Sequence, residues 1–296
     1  MTLRGPTRHA AYRSTTEMRG SMKRRLAVLL ATMLALLAGG AKAQLRTQVT
    51  LPLEAEIRRD LAKAPCDNKE RLGAVKSLFS QLGATDADVS VASFKHTENL
   101  VATVKGSGDG FIVVGAHYDK ASHGCGAVDN WTGIVILAHL YRTIRVTAPS
   151  KTIIFVAFGK EEAGLVGSQA MVDAITKKDR ESYCSMVNLD SFGFARPQVL
   201  ENVSTPKLTA FVAEVARENQ VPYASARVDA GADSTSFRDK GIPAVTLHGL
   251  SNTGLSLIHT SKDQVDQISA ESVHIGYRFA LMLIARLDQC DCKAFR

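Results

Sequence analysis

Apolar residues at Leu72, Val75, Phe79 and Leu82 recur between polar ones at helical spacing, which predicts an amphipathic helix over 68–82 that stops at Gly83. A second amphipathic helix is predicted just before it, over 53–64. The apolar pattern then becomes strand-like. Residues 89–94 and 99–104 read as strands, an antiparallel pair, and a turn follows at Gly106-Ser107-Gly108-Asp109-Gly110.

From residue 111 the chain changes to strand, loop, helix, repeated. Continuous apolar strands are predicted at 111–116, 152–158, 184–189 and 244–248. Helices are predicted at 131–145, 165–175, 205–218 and 270–287. Apolar strands alternating with helices require a sheet covered on both faces. The expected fold class is a single α/β domain with a mixed, mostly parallel central β-sheet and helices on both faces. It is mixed because the two early strands lack crossover helices.

The N-terminal region has a different character. Met22-Lys23-Arg24-Arg25 precedes an apolar run from Leu26 to Ala38, and Ala41-Lys42-Ala43 offers an A-x-A cleavage site. This is the anatomy of a secretory signal peptide, and the run falls short of the ~20 residues that span a bilayer. Residues 1–43 are therefore expected to be an N-terminal extension plus leader, cleaved before Gln44. Residues 44–296 are expected to form the folded domain. The start could be Met1 or Met22. Export would place the product in a periplasm or outside the cell, with no stable membrane span after cleavage.

The leader also accounts for the charge. Of 36 basic and 29 acidic residues, eight and one lie before position 44, leaving 28 of each. The net charge of +7 thus belongs to the leader, and no basic stripe argues for nucleic-acid binding. Five cysteines, Cys66, Cys125, Cys184, Cys290 and Cys292, leave at least one outside any intrachain pair, and the sequence does not fix the connectivity.

In open α/β sheets the reactive crevice lies at the carboxyl ends of the strands. There the first core strand delivers His117-Tyr118-Asp119, and its following loop delivers Asp129-Asn130. The next strand delivers Glu161 and Glu162, the third Asp190, and the loop after the fourth His259. So many carboxylates in one cleft would repel one another and raise their own pKa values. Two divalent cations would offset Asp129, Glu162 and Asp190. Imidazole and carboxylate donors without thiolate suit zinc, with Co2+ or Mn2+ as substitutes.

Each residue also has a plainer reading. Asp129 could be a helix cap, the glutamates a solvated loop, His117 a buried structural histidine and Asp190 a strand end. Five such features in order at one sheet edge outweigh those readings.

The succession HYD, DNWTG, GKEEAGLVGS, NLD and LIHT resembles the secreted co-catalytic two-zinc aminopeptidases, a metallopeptidase family that also includes glutaminyl cyclases. The resemblance implies a zinc exopeptidase-like fold and two Zn2+ per chain. Asp129 would bridge them, His117 and Asp190 would complete one site, and Glu162 and His259 the other. It implies Glu161 as general base toward a water between the metals, and Asp119 as the group that holds the His117 ring. It also implies a cis bond between Asp129 and Asn130.

The expected activity is removal of N-terminal residues from peptides or proteins with a free N-terminus. The alternatives are a glutaminyl-peptide cyclase or a carboxypeptidase-like exopeptidase on the same metal site. Cyclases of this family usually carry Trp before the last histidine, where this chain has Ile258. Many relatives have Ser-Asp-His where this chain has Ala232-Asp233-Ser234, so a histidine is missing at Ser234. Of the other histidines, His123 is expected beside the site, His96 and His274 at the surface and His139 in the core. His248 ends a strand near the cleft and is ambiguous. Trp131 is expected to pack. The preferred N-terminal residue and the oligomeric state are not legible.

Overall fold

The computed structural model describes residues 49–228 and 230–296. The leader expected over 1–43 lies outside the described residues. Among the described residues no helix is long and apolar enough to cross a membrane.

Two helices open the domain, α1 (Glu54–Leu61) and α2 (Asn68–Gln81), the second capped by the Asp67 side chain. The strands are β1 (Val89–Phe94), β2 (Thr97–Val104), β3 (Phe111–His117), β4 (Thr152–Phe158), β5 (Tyr183–Leu189), β6 (Gln198–Leu200), β7 (Ala224–Ala226) and β8 (Ala244–His248). The later helices are α3 (Thr132–Ile144), α4 (Val166–Ala174), α5 (Pro206–Glu218), α6 (Asp233–Asp239), α7 (Asn252–Leu257) and α8 (Ala270–Asp288).

They build one eight-stranded sheet in the order β1-β2-β4-β3-β5-β8-β6-β7. The four central strands run parallel, while β1, β2 and the β6–β8 pairing are antiparallel. The sheet is mixed, as the sequence predicts.

Side-chain alternation explains why both faces are covered. On β3, Ile112, Val114 and Ala116 join the larger core with residues of α1, α2, α3, α5 and α8. Val113 points the other way, into a smaller core with Val172 of α4 and Phe237 of α6. Gly115 sits between them with no room for a side chain: a Cβ there would lie 2.3 Å from the Phe158 ring.

Two disulfides form, Cys66–Cys125 and Cys184–Cys292, and Cys290 is a free thiol. Trp131 packs as expected, fully buried, with its Nε1 donating to Asp60 O at 3.0 Å. His139 is also buried, and its Nε2 lies 3.0 Å from Asp60 Oδ2. His274 departs from the expected surface position. It is half-buried, because its ring stacks on Tyr277 one turn along α8.

Candidate metal centre and active site

The parallel strands bring their carboxyl ends to one edge, and the predicted residues meet there. His117 is the last residue of β3, and Asp190 follows β5 directly. Glu161 and Glu162 lie just past β4, and His259 just past α7. Asp129 sits in an irregular wide turn, Ala127–Trp131, that leads into α3. The Asp129–Asn130 bond is cis. Asn130 turns away from the cleft, donating to Leu189 O at 2.8 Å while its Oδ1 accepts from the Gly133 and Ser191 amides.

Asp129 is the centre of the cluster. Its Oδ1 lies 3.1 Å from His117 Nε2, and its Oδ2 lies 3.0 Å from His259 Nε2. The His117 Nε2 is also 3.6 Å from Asp190 Oδ1. On the other side His259 Nε2 is 3.2 Å from Glu162 Oε2. Two triads result, His117–Asp129–Asp190 and Asp129–Glu162–His259, each with donor atoms within 4.8 Å of one another, and Asp129 belongs to both. A third grouping joins His117 with Glu161 and Glu162.

These donors fit divalent ions by more than proximity. Asp129 Oδ1 and Glu162 Oε1 are buried and accept no hydrogen bond. A buried carboxylate oxygen without a partner is costly, and a cation satisfies it. The set is imidazole and carboxylate only, which suits zinc.

Asp119 acts on the cluster through the backbone as well as the ring. Its own carbonyl oxygen is 3.1 Å from His117 Nδ1, closer than its carboxylate at 3.7 Å. The carboxylate instead accepts the Glu161 and Glu162 amides at 2.9 and 3.1 Å. Asp119 therefore ties the β3 end to the glutamate loop.

Without ions, the crowding of charge is visible in proton affinities. Burial, with Asp233, Asp190 and Asp129 nearby, pushes Glu161 up to about 9 despite the opposing pull of His117. Burial likewise raises Asp233 to about 7. Hydrogen bonds to Asp129 and Glu162 raise His259 to about 10. Burial opposes a charge on His117, but Glu161 and three aspartates outweigh it and hold its pKa well above 6.5. Asp129 is the reverse: burial would raise it, and the two imidazoles keep it below the usual carboxylate range.

Beside this cluster lies an open cleft. Glu161, Asp190 and His248 line its polar side, and Leu200, Val228, Leu250, Leu255 and Ile258 its apolar side. His123 is exposed and does not line it. His248 does, with Nδ1 accepting from the Leu250 amide at 3.3 Å. Ser234 is buried away from the cleft, donating to Val203 O at 3.0 Å and paired with the Thr246 hydroxyl at 2.7 Å.

The comparisons with known proteins agree with this architecture. The model for "Peptidase family M28" matches residues 99–284. The chain belongs to peptidase family M28. Among curated M28-like relatives, "Leucine aminopeptidase 1" of Pyrenophora tritici-repentis is 26% identical over 251 residues, 75% of this chain and 64% of the relative. The chain thus spans less than two thirds of the length of that relative. "Aminopeptidase YwaD" of Bacillus subtilis is 37% identical over a shorter stretch of 82 residues, 28% of this chain and 18% of that protein. Among solved structures, LapB from Legionella pneumophila aligns with a TM-score of 0.69 at 22% identity, over 85% of this chain and 76% of LapB. A glutaminyl cyclase from an Acidobacteriales bacterium aligns with a TM-score of 0.71 at 18% identity, over 84% of this chain and 99% of the cyclase. At these identities the structural likeness establishes the M28 fold alone.

Two residues with evident work at this site were not singled out in the sequence. Asp263 accepts the buried amides of Val128 and Asp129 at 2.7 and 3.2 Å, and so shapes the turn that carries Asp129. Its signal was its place four residues after His259, in one short loop. Arg71 is fully buried in α2, in the same row as Val75 and Phe79. A charge at a core position of an amphipathic helix was the available clue.

Proposed function

We propose that this M28 protein is an exported aminopeptidase that holds two zinc ions and hydrolyses the first peptide bond of substrates with a free N-terminus. The observation that carries the reading is Asp129 shared between two donor triads, beside Glu161 in an open cleft. His117, Asp129 and Asp190 would hold one ion, and Asp129, Glu162 and His259 the other. When bound, the two ions lower the pKa of the attacking water and polarise the peptide carbonyl.

The remaining steps belong to the chain. Glu161 takes the proton of the attacking water and gives it to the leaving amine. Burial and the neighbouring carboxylates raise its proton affinity, and divalent ions at the two triads would lower it and leave Glu161 ionised, as a general base requires. Asp119 fixes the glutamate loop through two amides and braces His117. Glu161 and Asp190 give the substrate ammonium an acidic environment. The wall of Leu200, Val228, Leu250, Leu255 and Ile258 suits an apolar N-terminal side chain. Residues 1–43 would be removed on export, leaving 44–296 as the enzyme.

The test is hydrolysis of a panel of aminoacyl-p-nitroanilides, with and without chelator, beside Glu161→Gln. The expected result is chelator-sensitive release, fastest with apolar residues, restored by zinc and lowered at least 10²-fold in the variant. A zinc-loaded protein that releases nothing from any unblocked residue would sink the aminopeptidase reading. Ring closure of glutaminyl peptides by the same sample would replace it with the cyclase reading.

A further inference from the structure

The family match begins at residue 99, yet the loops that carry Asp119 and Asp129 are gripped by residues 65–71. The grip centres on Arg71. Its Nε donates to Tyr118 O, next to Asp119. Its Nη1 donates to Pro65 O and Cys125 O at 2.8 and 3.0 Å, and its Nη2 to Gly126 O at 3.0 Å. One guanidinium thus ties the end of β3 to the start of the turn that carries Asp129. One turn earlier in α2, Asn68 makes a reciprocal pair with Lys120: the Asn68 amide donates to Lys120 O at 3.0 Å, and the Lys120 amide donates to Asn68 Oδ1 at 2.9 Å. The Cys66–Cys125 disulfide closes the same loop covalently.

Position and chemistry both argue that this grip serves the metal centre. Arg71 is fully buried and reaches no carboxylate as a paired salt bridge partner among the described residues. It spends its donors on backbone carbonyls and rests over the Trp131 ring at 5.5 Å. Burial pulls its pKa down only to about 10, because Asp119, Asp129, Asp263 and Glu162 lie around it, so it stays charged at neutral pH. A lysine at this position would keep the charge but lose the planar fork that serves several carbonyls at once.

We propose that Arg71 is a positioning residue that, with Asn68 and the Cys66–Cys125 bond, sets the spacing of the Asp119 and Asp129 arms for metal binding. The helical segment before the family's matched span then completes the M28 metal centre in this chain. This rests on the two-ion reading above, but it makes its own measurable claim about affinity and geometry.

The experiment is Co2+ titration of the chelator-stripped chain, followed by its visible d–d absorption, for wild type, Arg71→Lys, Arg71→Gln and Asn68→Ala. Circular dichroism in chelator selects the variants that remain folded. The expected result is a 10- to 100-fold loss of Co2+ affinity in both Arg71 variants, with a changed spectrum, and a smaller loss in Asn68→Ala. Recovery of wild-type affinity and spectrum in Arg71→Lys would overturn the proposal, since charge alone would then suffice. So would wild-type binding by any folded Arg71→Gln. Should neither Arg71 variant fold, the Asn68→Ala titration decides, and wild-type affinity there would overturn it. Wild-type protein that takes up no Co2+ would remove the two-ion reading and this inference with it.

Discussion

On the two-ion reading proposed above, metal binding to this centre should expel protons. In the metal-free protein His259 sits near 10, raised by Asp129 and Glu162, and His117 is held well above 6.5 by the surrounding carboxylates. At pH 6.5 both imidazoles therefore carry a proton. A ligating nitrogen cannot, so loading the two sites releases about two protons per chain. Glu161, at about 9 without ions, adds up to a third if loading pulls it below the assay pH. The sign follows: protonated ligands compete with the metal, so affinity rises with pH below the raised pKa values. With two linked protons the combined affinity rises about 100-fold per pH unit, or about 2.7 kcal/mol. Titration calorimetry at pH 6.5, in buffers of different ionisation enthalpy, counts the protons directly. The metal-free protein should show the opposite trend in stability. The His259 ion pairs are fully present below the unfolded pKa of about 6.5 and are lost as pH rises through about 10. Release of fewer than one proton per chain would refute the charge pattern deduced for the site.

Two further substitutions test the scaffold. Asp60 is buried and accepts from His139, Arg59 and Lys63; burial alone would raise its pKa, but these partners hold it below the usual carboxylate range. Its contribution is therefore present above about pH 4 and lost in acid, so Asp60→Asn should cost about 3 kcal/mol in urea unfolding at pH 7, a gap that shrinks below about pH 3. Asp263→Ala should leave the Val128 and Asp129 amides without an acceptor and weaken zinc about 10- to 100-fold in chelator competition, while wild-type zinc affinity would remove Asp263 from the site.

The parts of the fold that could be read in advance are those with enough residues to show a period. β3, β4, β5 and β8 are apolar runs of five to seven residues and were located to within a residue or two. β6 and β7 are three residues each, too short for alternation to register, and they were not predicted. α6 reads Asp-Ser-Thr-Ser-Phe-Arg-Asp, with Phe237 its one apolar residue, so no helical stripe could announce it. The metal-competent residues were legible because parallel strands deliver their ends to one edge. Arg71 and Asp263 are harder to read, because they act on backbone groups: the only marks they leave are a charge in the apolar row of α2 and a carboxylate four residues after His259. The pairing of Cys66 with Cys125 was hidden for a related reason: the two lie 59 residues apart and meet only through that same loop.

The choice between an aminopeptidase and a cyclase is a question about water more than about metal ligands. Both chemistries can use the same carboxylates and imidazoles. Hydrolysis needs room beside Glu161 for an attacking water, whereas ring closure needs the substrate's own amine to attack and water to be kept out. In this chain the wall next to His259 is Ile258 and Leu255, aliphatic side chains at the mouth of an open cleft, and Leu255 is exposed. A large aromatic ring at 258 would narrow that mouth and offer a flat cover to a small substrate. Its absence leaves space for water and for the peptide chain beyond the first residue. Ser234 does not enter that choice, since it is buried with its hydroxyl on Val203 O and Thr246 Oγ1. The difference from the cyclases at 258 thus alters a wall of the cleft and not the donors.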